Sequence, residues 1–156
     1  MKSEGSNMSE ALIMESIHQK LGDRVQDFLL PPPVFKTMGG EFVEFDADCG
    51  IIKTRFPVME KFLNPYGSMQ GGMVAAAVDN TFGPLSMLVA PPNVTRRLEM
   101  KYSRPATTDL KYIEVEARFK KREGRWLTLT AEVRDQRCEL LARAKATHWI
   151  LEEDGS

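Results

Sequence analysis

Asp79 is the one charged residue in a run from Met73 to Leu88, and that run begins just after the glycine pair Gly71-Gly72. A run apolar on every side reads as a buried helix. A carboxylate inside it must be paired, protonated or useful. The glycines at the helix mouth matter for a separate reason. No Cβ stands between a ligand and the backbone there. The first amides of a helix also lack an internal acceptor and carry the positive end of its dipole, so they attract a carbonyl oxygen or an anion. Electrophile-polarising amides together with an isolated carboxylate point to acyl chemistry.

Each of these residues also has a plainer reading. Asp79 could cap a neighbouring backbone, and the glycine pair could serve tight helix–sheet packing. Asn64 precedes Pro65, a common setting for a turn asparagine, and Gln70 stands where a helix starts. His148 alternates onto the same strand face as Ala144 and Ala146, which reads as a satisfied core histidine rather than a catalyst. There is no Gly-x-Ser-x-Gly elbow, phosphate-binding loop or dinucleotide fingerprint in the chain.

The surrounding elements follow from periodicity. Residues 1–8 read as disordered, and residues 9–33 as an N-terminal helix and linker stopped by Pro31-Pro32-Pro33. Strands are expected over Glu41 to Asp46 and about Gly50 to Phe56, with one helical turn near Met59 to Leu63. The apolar helix should span roughly Gln70 to Val89 and kink at Pro84, which lacks an N–H and crowds the carbonyl of Asn80. After Pro91-Pro92 every run alternates with period two. The sets are Leu98, Met100, Tyr102; Ile113, Val115, Ala117, Phe119; Leu127, Leu129, Ala131, Val133; and Ala142, Ala144, Ala146. One long helix therefore faces an antiparallel sheet with one apolar side, an α+β class in which the sheet wraps around the helix.

The 156 residues fit one domain with a real core, 34–152 being its body. Basic residues number 21 and acidic ones 22, so there is no electrostatic case for nucleic acid as a partner. Cys49 and Cys138 are too few for a disulfide framework, and with His18 and His148 they make a poor zinc set. The polar start and the lack of a membrane-length apolar segment lead us to expect a cytoplasmic protein without a membrane partner.

From about Phe42 to Ile150 the chain resembles hotdog-fold thioesterases, most of all the phenylacetate-degradation (PaaI-type) branch of the 4-hydroxybenzoyl-CoA thioesterase superfamily. The residues that carry the resemblance are Asn64, Gly67, Gly71-Gly72 and Asp79, followed by Tyr102-Ser-Arg-Pro-Ala106. It implies acyl-CoA hydrolysis with no cofactor besides the coenzyme A of the substrate. Asp79 would be the nucleophile or general base, and the Gly71 N–H would polarise the thioester carbonyl. Asn64 would orient water or the leaving sulfur, and Thr95 would help hold the water. One departure stands out: the branch usually has His-Gly-Gly, and here the first position is Gln70. Glutamine can position groups but cannot carry a proton at neutral pH. Gly72 would lie against the substrate, and of two basic clusters Arg97, Arg122 and Arg125 are the candidates for the coenzyme phosphates. The plainer reading of those clusters is a solvated strand face.

Geometry adds a constraint of its own. At about 1.5 Å per residue, Gly71 and Asp79 of one helix are roughly 12 Å apart, too far to touch one carbonyl carbon. Antiparallel pairing of two such helices across a two-fold axis would join Gly71 of one copy to Asp79 of the other. The expectation is thus a homo-oligomeric acyl-CoA thioesterase, a dimer or dimer of dimers, with its site shared across the interface. A non-catalytic acyl-CoA-binding or sensing protein is the alternative, and a hydratase of similar fold ranks below both.

Overall fold

The computed structural model describes residues 4–151. Helix α1 spans Glu4–Leu21, a short helix α2 spans Pro33–Thr37, and the long helix α3 spans Gly71–Val89. The strands are β1 Glu41–Asp46, β2 Ile51–Pro57, β3 Asn93–Tyr102, β4 Tyr112–Glu123, β5 Trp126–Asp135 and β6 Leu140–Ile150. They form one antiparallel sheet in the order β1-β2-β4-β5-β6-β3. With α3 packed on its apolar side, this is the hotdog fold.

The alternating runs pair as their periodicity predicts. Ile113, Val115, Ala117, Leu129, Val133, Ala142 and Ala146 are buried on one face and meet Val74, Ala77, Val78, Phe82 and Leu85 of α3 in one core, while Leu127 packs with Ala90 and Ile150 in a smaller cluster. A buried polar contact fixes the helix on the sheet. The hydroxyls of Thr54 on β2 and Thr81 on α3 lie 2.7 Å apart, and Thr81 Oγ1 also donates to the Ala77 carbonyl at 2.8 Å. The outer sheet face is a lattice of charges, with Arg55 on Glu114, Arg118 on Glu116 and Arg134 on Glu132.

The N-terminal segment departs from its sequence expectation. Helix α1 starts at Glu4 rather than Ser9, so residues 4–8 of the segment expected to be disordered are helical, while residues 1–3 lie outside the described residues. It also ends at Leu21, where Gly22 adopts φ 57° and a 3₁₀ turn takes over to Asp27. Glycine reaches that left-handed backbone at little cost, which explains the stop well before the prolines. Those prolines do not only break structure, because Pro33 opens α2, where a missing N–H does no harm. Helix α3 spans Gly71–Val89 with Pro84 inside it, close to the expected Gln70 to Val89.

Helix α1 lies along β1 and touches α3, burying Ile13 and Ile17 completely. Ser9 Oγ donates to the Val43 carbonyl at 3.1 Å, where the β1–β2 register slips by a bulge. At the other end of the sheet β3 has no neighbouring strand beyond it among the described residues.

Candidate active site

Asp79 is exposed on the chain, contrary to the burial its sequence context implies. The reason lies in the small residues around it. Gly72, Ala76, Asp79, Gly83 and Met87 recur at helical spacing along one side of α3, and all are exposed or half-buried. Alanine and glycine count as apolar in a sequence, so this open stripe cannot be told from the core face, which holds Val74, Ala77, Val78, Phe82 and Leu85. The stripe lies beside the free edge strand β3.

Thr95 reaches across from that strand, its Oγ1 donating to Asp79 Oδ1 at 3.0 Å. A β-bulge makes this contact possible. Thr95 pairs with His148, whereas Arg97 pairs with Thr147, so Arg96 is the additional residue. The bulge switches the alternation, and Thr95 therefore faces the helix together with Leu98, Met100 and Tyr102 instead of facing outward with Arg97 and Glu99. Strict period-two counting places Thr95 on the wrong side.

Behind Thr95 is a residue that sequence reasoning assigned only to the core. His148 is 2% exposed; its Nε2 lies 3.3 Å from Thr95 Oγ1 and its Nδ1 lies 2.8 Å from Asn93 Oδ1. Burial pushes its imidazole below the usual value, and the charge of Asp79 acts in the opposite direction. The sequence holds one signal for it, a polar residue in register with inward-facing alanines.

The other end of α3 gathers a second group. The first helical bonds run from Met73 N–H and Val74 N–H to Gln70 O, at 2.8 and 3.1 Å. The amides of Gly71 and Gly72 come before these and have no carbonyl one turn earlier to reach. The Gly71 carbonyl accepts from the Tyr102 hydroxyl at 2.6 Å, and partial burial holds that phenol above its usual range. An open cleft of about 320 Å³ here is lined by Asn64, Ser68, Gly71, Tyr102, Arg104 and Ala106, among others. Asn64 shapes the loop leading to it. Its Oδ1 accepts from the backbone amides of Tyr66 and Ser68 at 3.0 and 3.2 Å, and Gly67 takes φ 80° to complete the turn. Gln70 is the helix N-cap but makes no capping bond with its exposed side chain.

The site candidates thus fall into two groups on one chain: Asp79 with Thr95, and Gly71 and Gly72 with Asn64 and Gln70. The basic candidates join neither group. Arg97 bonds Glu99 at 2.5 Å, Arg122 Nε donates to the Gly124 carbonyl at 2.9 Å, and Arg125 donates to the Leu151 carbonyl at 3.2 Å. Arg122 and Arg125 flank the β4–β5 turn, at the end of the sheet where β3 begins and away from Gly71. Next to Asp79, between α1 and α3, a small pocket of about 100 Å³ is lined mainly by Met14, Ile17, Leu30, Pro84 and Met87.

No protein-family model and no curated protein matches the chain. Solved structures do. A phenylacetic acid degradation-related protein from Ralstonia eutropha JMP134, described as a candidate thioesterase, is 25% identical with a TM-score of 0.73, over 86% of this chain and 98% of that one. The PaaI protein of the E. coli phenylacetic acid degradation operon matches with a TM-score of 0.73 over 90% and 97% of the two chains, at 14% identity. A Streptococcus mutans UA159 protein solved bound to acetyl CoA matches with a TM-score of 0.71 over 80% and 97%, at 21% identity. Among the described residues no helix is long and apolar enough to cross a membrane.

Proposed function

We propose that this chain, a hotdog-fold protein whose structural neighbours are PaaI-like thioesterases, hydrolyses acyl-CoA thioesters at a site completed by a second copy of itself. The observation that carries the proposal is the position of Asp79, a hydroxyl-bonded carboxylate on the open stripe of α3, one helix half away from the glycine amides. Neither group can act on one carbonyl alone, since the helix rise separates them by roughly 12 Å. The stripe of Gly72, Ala76 and Gly83 is flat enough for a second α3 to approach. The neighbouring edge of β3 offers unpaired backbone groups, and Val94 and Tyr102 on it are 40% and 49% exposed. An isologous pairing along this face brings Asp79 of one copy to Gly71 of the other.

In such a site the thioester oxygen lies on the Gly71 amide, which stabilises the charge that develops on attack. Asp79 attacks directly or removes a proton from water, with Thr95 orienting it. Asn64 keeps the glycine loop in shape, and Gln70 stands where the branch carries histidine. The acyl group enters the apolar pocket beside Asp79. Its volume of about 100 Å³ is well below that of drug-sized sites, which favours short acyl groups over long chains. The acetyl-CoA complex of the S. mutans neighbour supports the class of ligand. The salt-bridged state of Arg97 and the backbone bonds of Arg122 and Arg125 favour structural roles for these basic residues, and Arg104 at the rim of the glycine cleft is likewise ion-paired, with Glu139.

The deciding experiment is a panel of acyl-CoA thioesters monitored for free thiol, with Asp79→Asn alongside. Hydrolysis of short-chain members by the wild type and its loss in the variant, with folding intact, are expected. Activity retained in Asp79→Asn would remove the carboxylate from the mechanism. Tight binding without thiol release would favour the acyl-CoA-binding alternative, in which Gln70 marks a site that no longer turns over.

A further inference from the structure

We propose that His148 is a positioning residue for Asp79, its imidazole deciding through Thr95 whether a single hydroxyl hydrogen is committed to the carboxylate. The chain of contacts begins at Asn93. Its Nδ2 donates to the Pro91 carbonyl at 2.9 Å and points at the Ser86 carbonyl at 3.4 Å. Those two carbonyls fix the amide orientation, so the atom facing His148 is Oδ1, an acceptor. At 2.8 Å from Oδ1, His148 Nδ1 must carry the hydrogen. A neutral imidazole pinned in this way has only a lone pair at Nε2.

Thr95 then faces two acceptors with one hydrogen. Its Oγ1 lies 3.0 Å from Asp79 Oδ1 and 3.3 Å from His148 Nε2. With a neutral imidazole the hydroxyl can satisfy only one of them. A proton taken from solvent onto Nε2 resolves the conflict, because the imidazolium donates to Oγ1 and the hydroxyl donates to the carboxylate. Protonated His148 therefore holds Thr95 on Asp79. Neutral His148 competes for the hydroxyl and releases the carboxylate oxygen for attack or proton transfer.

The surroundings make the imidazole responsive to this contact. The ring is boxed in by Phe82 of α3, edge-on with centroids 6.2 Å apart, and by Leu127, its register partner on β5. Asn93 and Thr95 approach from β3, and Asp79 is the one charged group facing it from α3. The consequence for turnover rests on the thioesterase reading, whereas the coupling itself does not.

The chain has two histidines, so imidazole NMR resonances followed against pH test the coupling directly, with exposed His18 as internal reference. The full-length wild type would be compared with T95S, T95V, D79N and the D79N/T95V pair; Thr95 is exposed, and its variants leave the core intact. The His148 midpoint should fall in T95V and in D79N, stay in place in T95S, and fall by less when D79N is added to T95V than when D79N is made alone, the remainder being the direct pull of the Asp79 charge on the imidazolium. A neutral Nε2–H tautomer, a midpoint indifferent to T95V, or a full D79N shift surviving on the T95V background would each overturn the proposal. In the wild type, thiol release should decline with acid along the His148 titration, and in T95V that limb should separate from it. If no thioester is cleaved, the function fails while the NMR result still decides the coupling.

Discussion

The hydroxyl of Tyr102 at the end of β3 donates to the carbonyl of Gly71 at the start of α3, across 2.6 Å. A Cβ built on Gly71 would lie 3.3 Å from the ring carbon and the hydroxyl of the same tyrosine. The glycine is therefore held by its partner and kept bare by it. Tyr102→Phe should lower stability by about 0.5–1.5 kcal/mol, the net worth of one hydrogen bond. Because the residue is half exposed, the lower end is expected in urea denaturation. Gly71→Ala should fold and lose turnover, since the ring must yield and the amide face is narrowed.

A shared site makes a prediction about mixtures. Asp79→Asn chains and Gly71→Val chains should each be inactive, but co-refolded they should regain about a quarter of wild-type thioester hydrolysis, because half of the dimers are mixed and each has one intact site. No recovery, with mixed dimers verified by mass, would place both groups in one chain.

The buried Thr54–Thr81 contact predicts a non-additive pair. Thr81→Val leaves the Thr54 hydroxyl without its partner on the helix and should cost about 1–3 kcal/mol. Thr54→Val together with Thr81→Val replaces both groups by isosteric apolar ones and should recover most of that loss. Denaturant midpoints of the three variants measure it.

His148 links stability to pH. Its folded-state value is lowered from the ordinary 6.5 by burial, so the unfolded chain binds the proton more readily. Stability is then complete above the unfolded value and falls as pH drops from about 6.5 toward the lower folded value. His148→Gln, which cannot titrate, should flatten the denaturation midpoint over that window, leaving only the carboxylate losses at lower pH.

Much of the architecture could be read from the chain. The bounds of α3 follow from an apolar run set between Gly71-Gly72 and Pro91-Pro92, and β1 and the inward faces of β4, β5 and β6 follow from period-two alternation, because the sheet buries one whole side against the helix. The site was legible by residue type but not by environment. Asp79 looked enclosed because glycine and alanine hide an exposed stripe inside an apolar count. Thr95 needed the Arg96 bulge to face the helix, and a bulge has no compositional mark here. His148 was placed in the core correctly, but its contact with Thr95 depends on the β3–β6 register, which pairs residues 53 apart in sequence. Local pattern carries no such information.

The two margins of the sheet are unequal, and this sets how far an assembly can grow. At β1 the bulged Val43 carbonyl is already occupied by the Ser9 hydroxyl, with α1 lying alongside, whereas β3 is unclad. A second chain annealed at β3 brings its own shielded β1 to the far side. Strand-by-strand addition at β3 would therefore terminate after one event, and the same asymmetry would keep the protein from running on into a fibril.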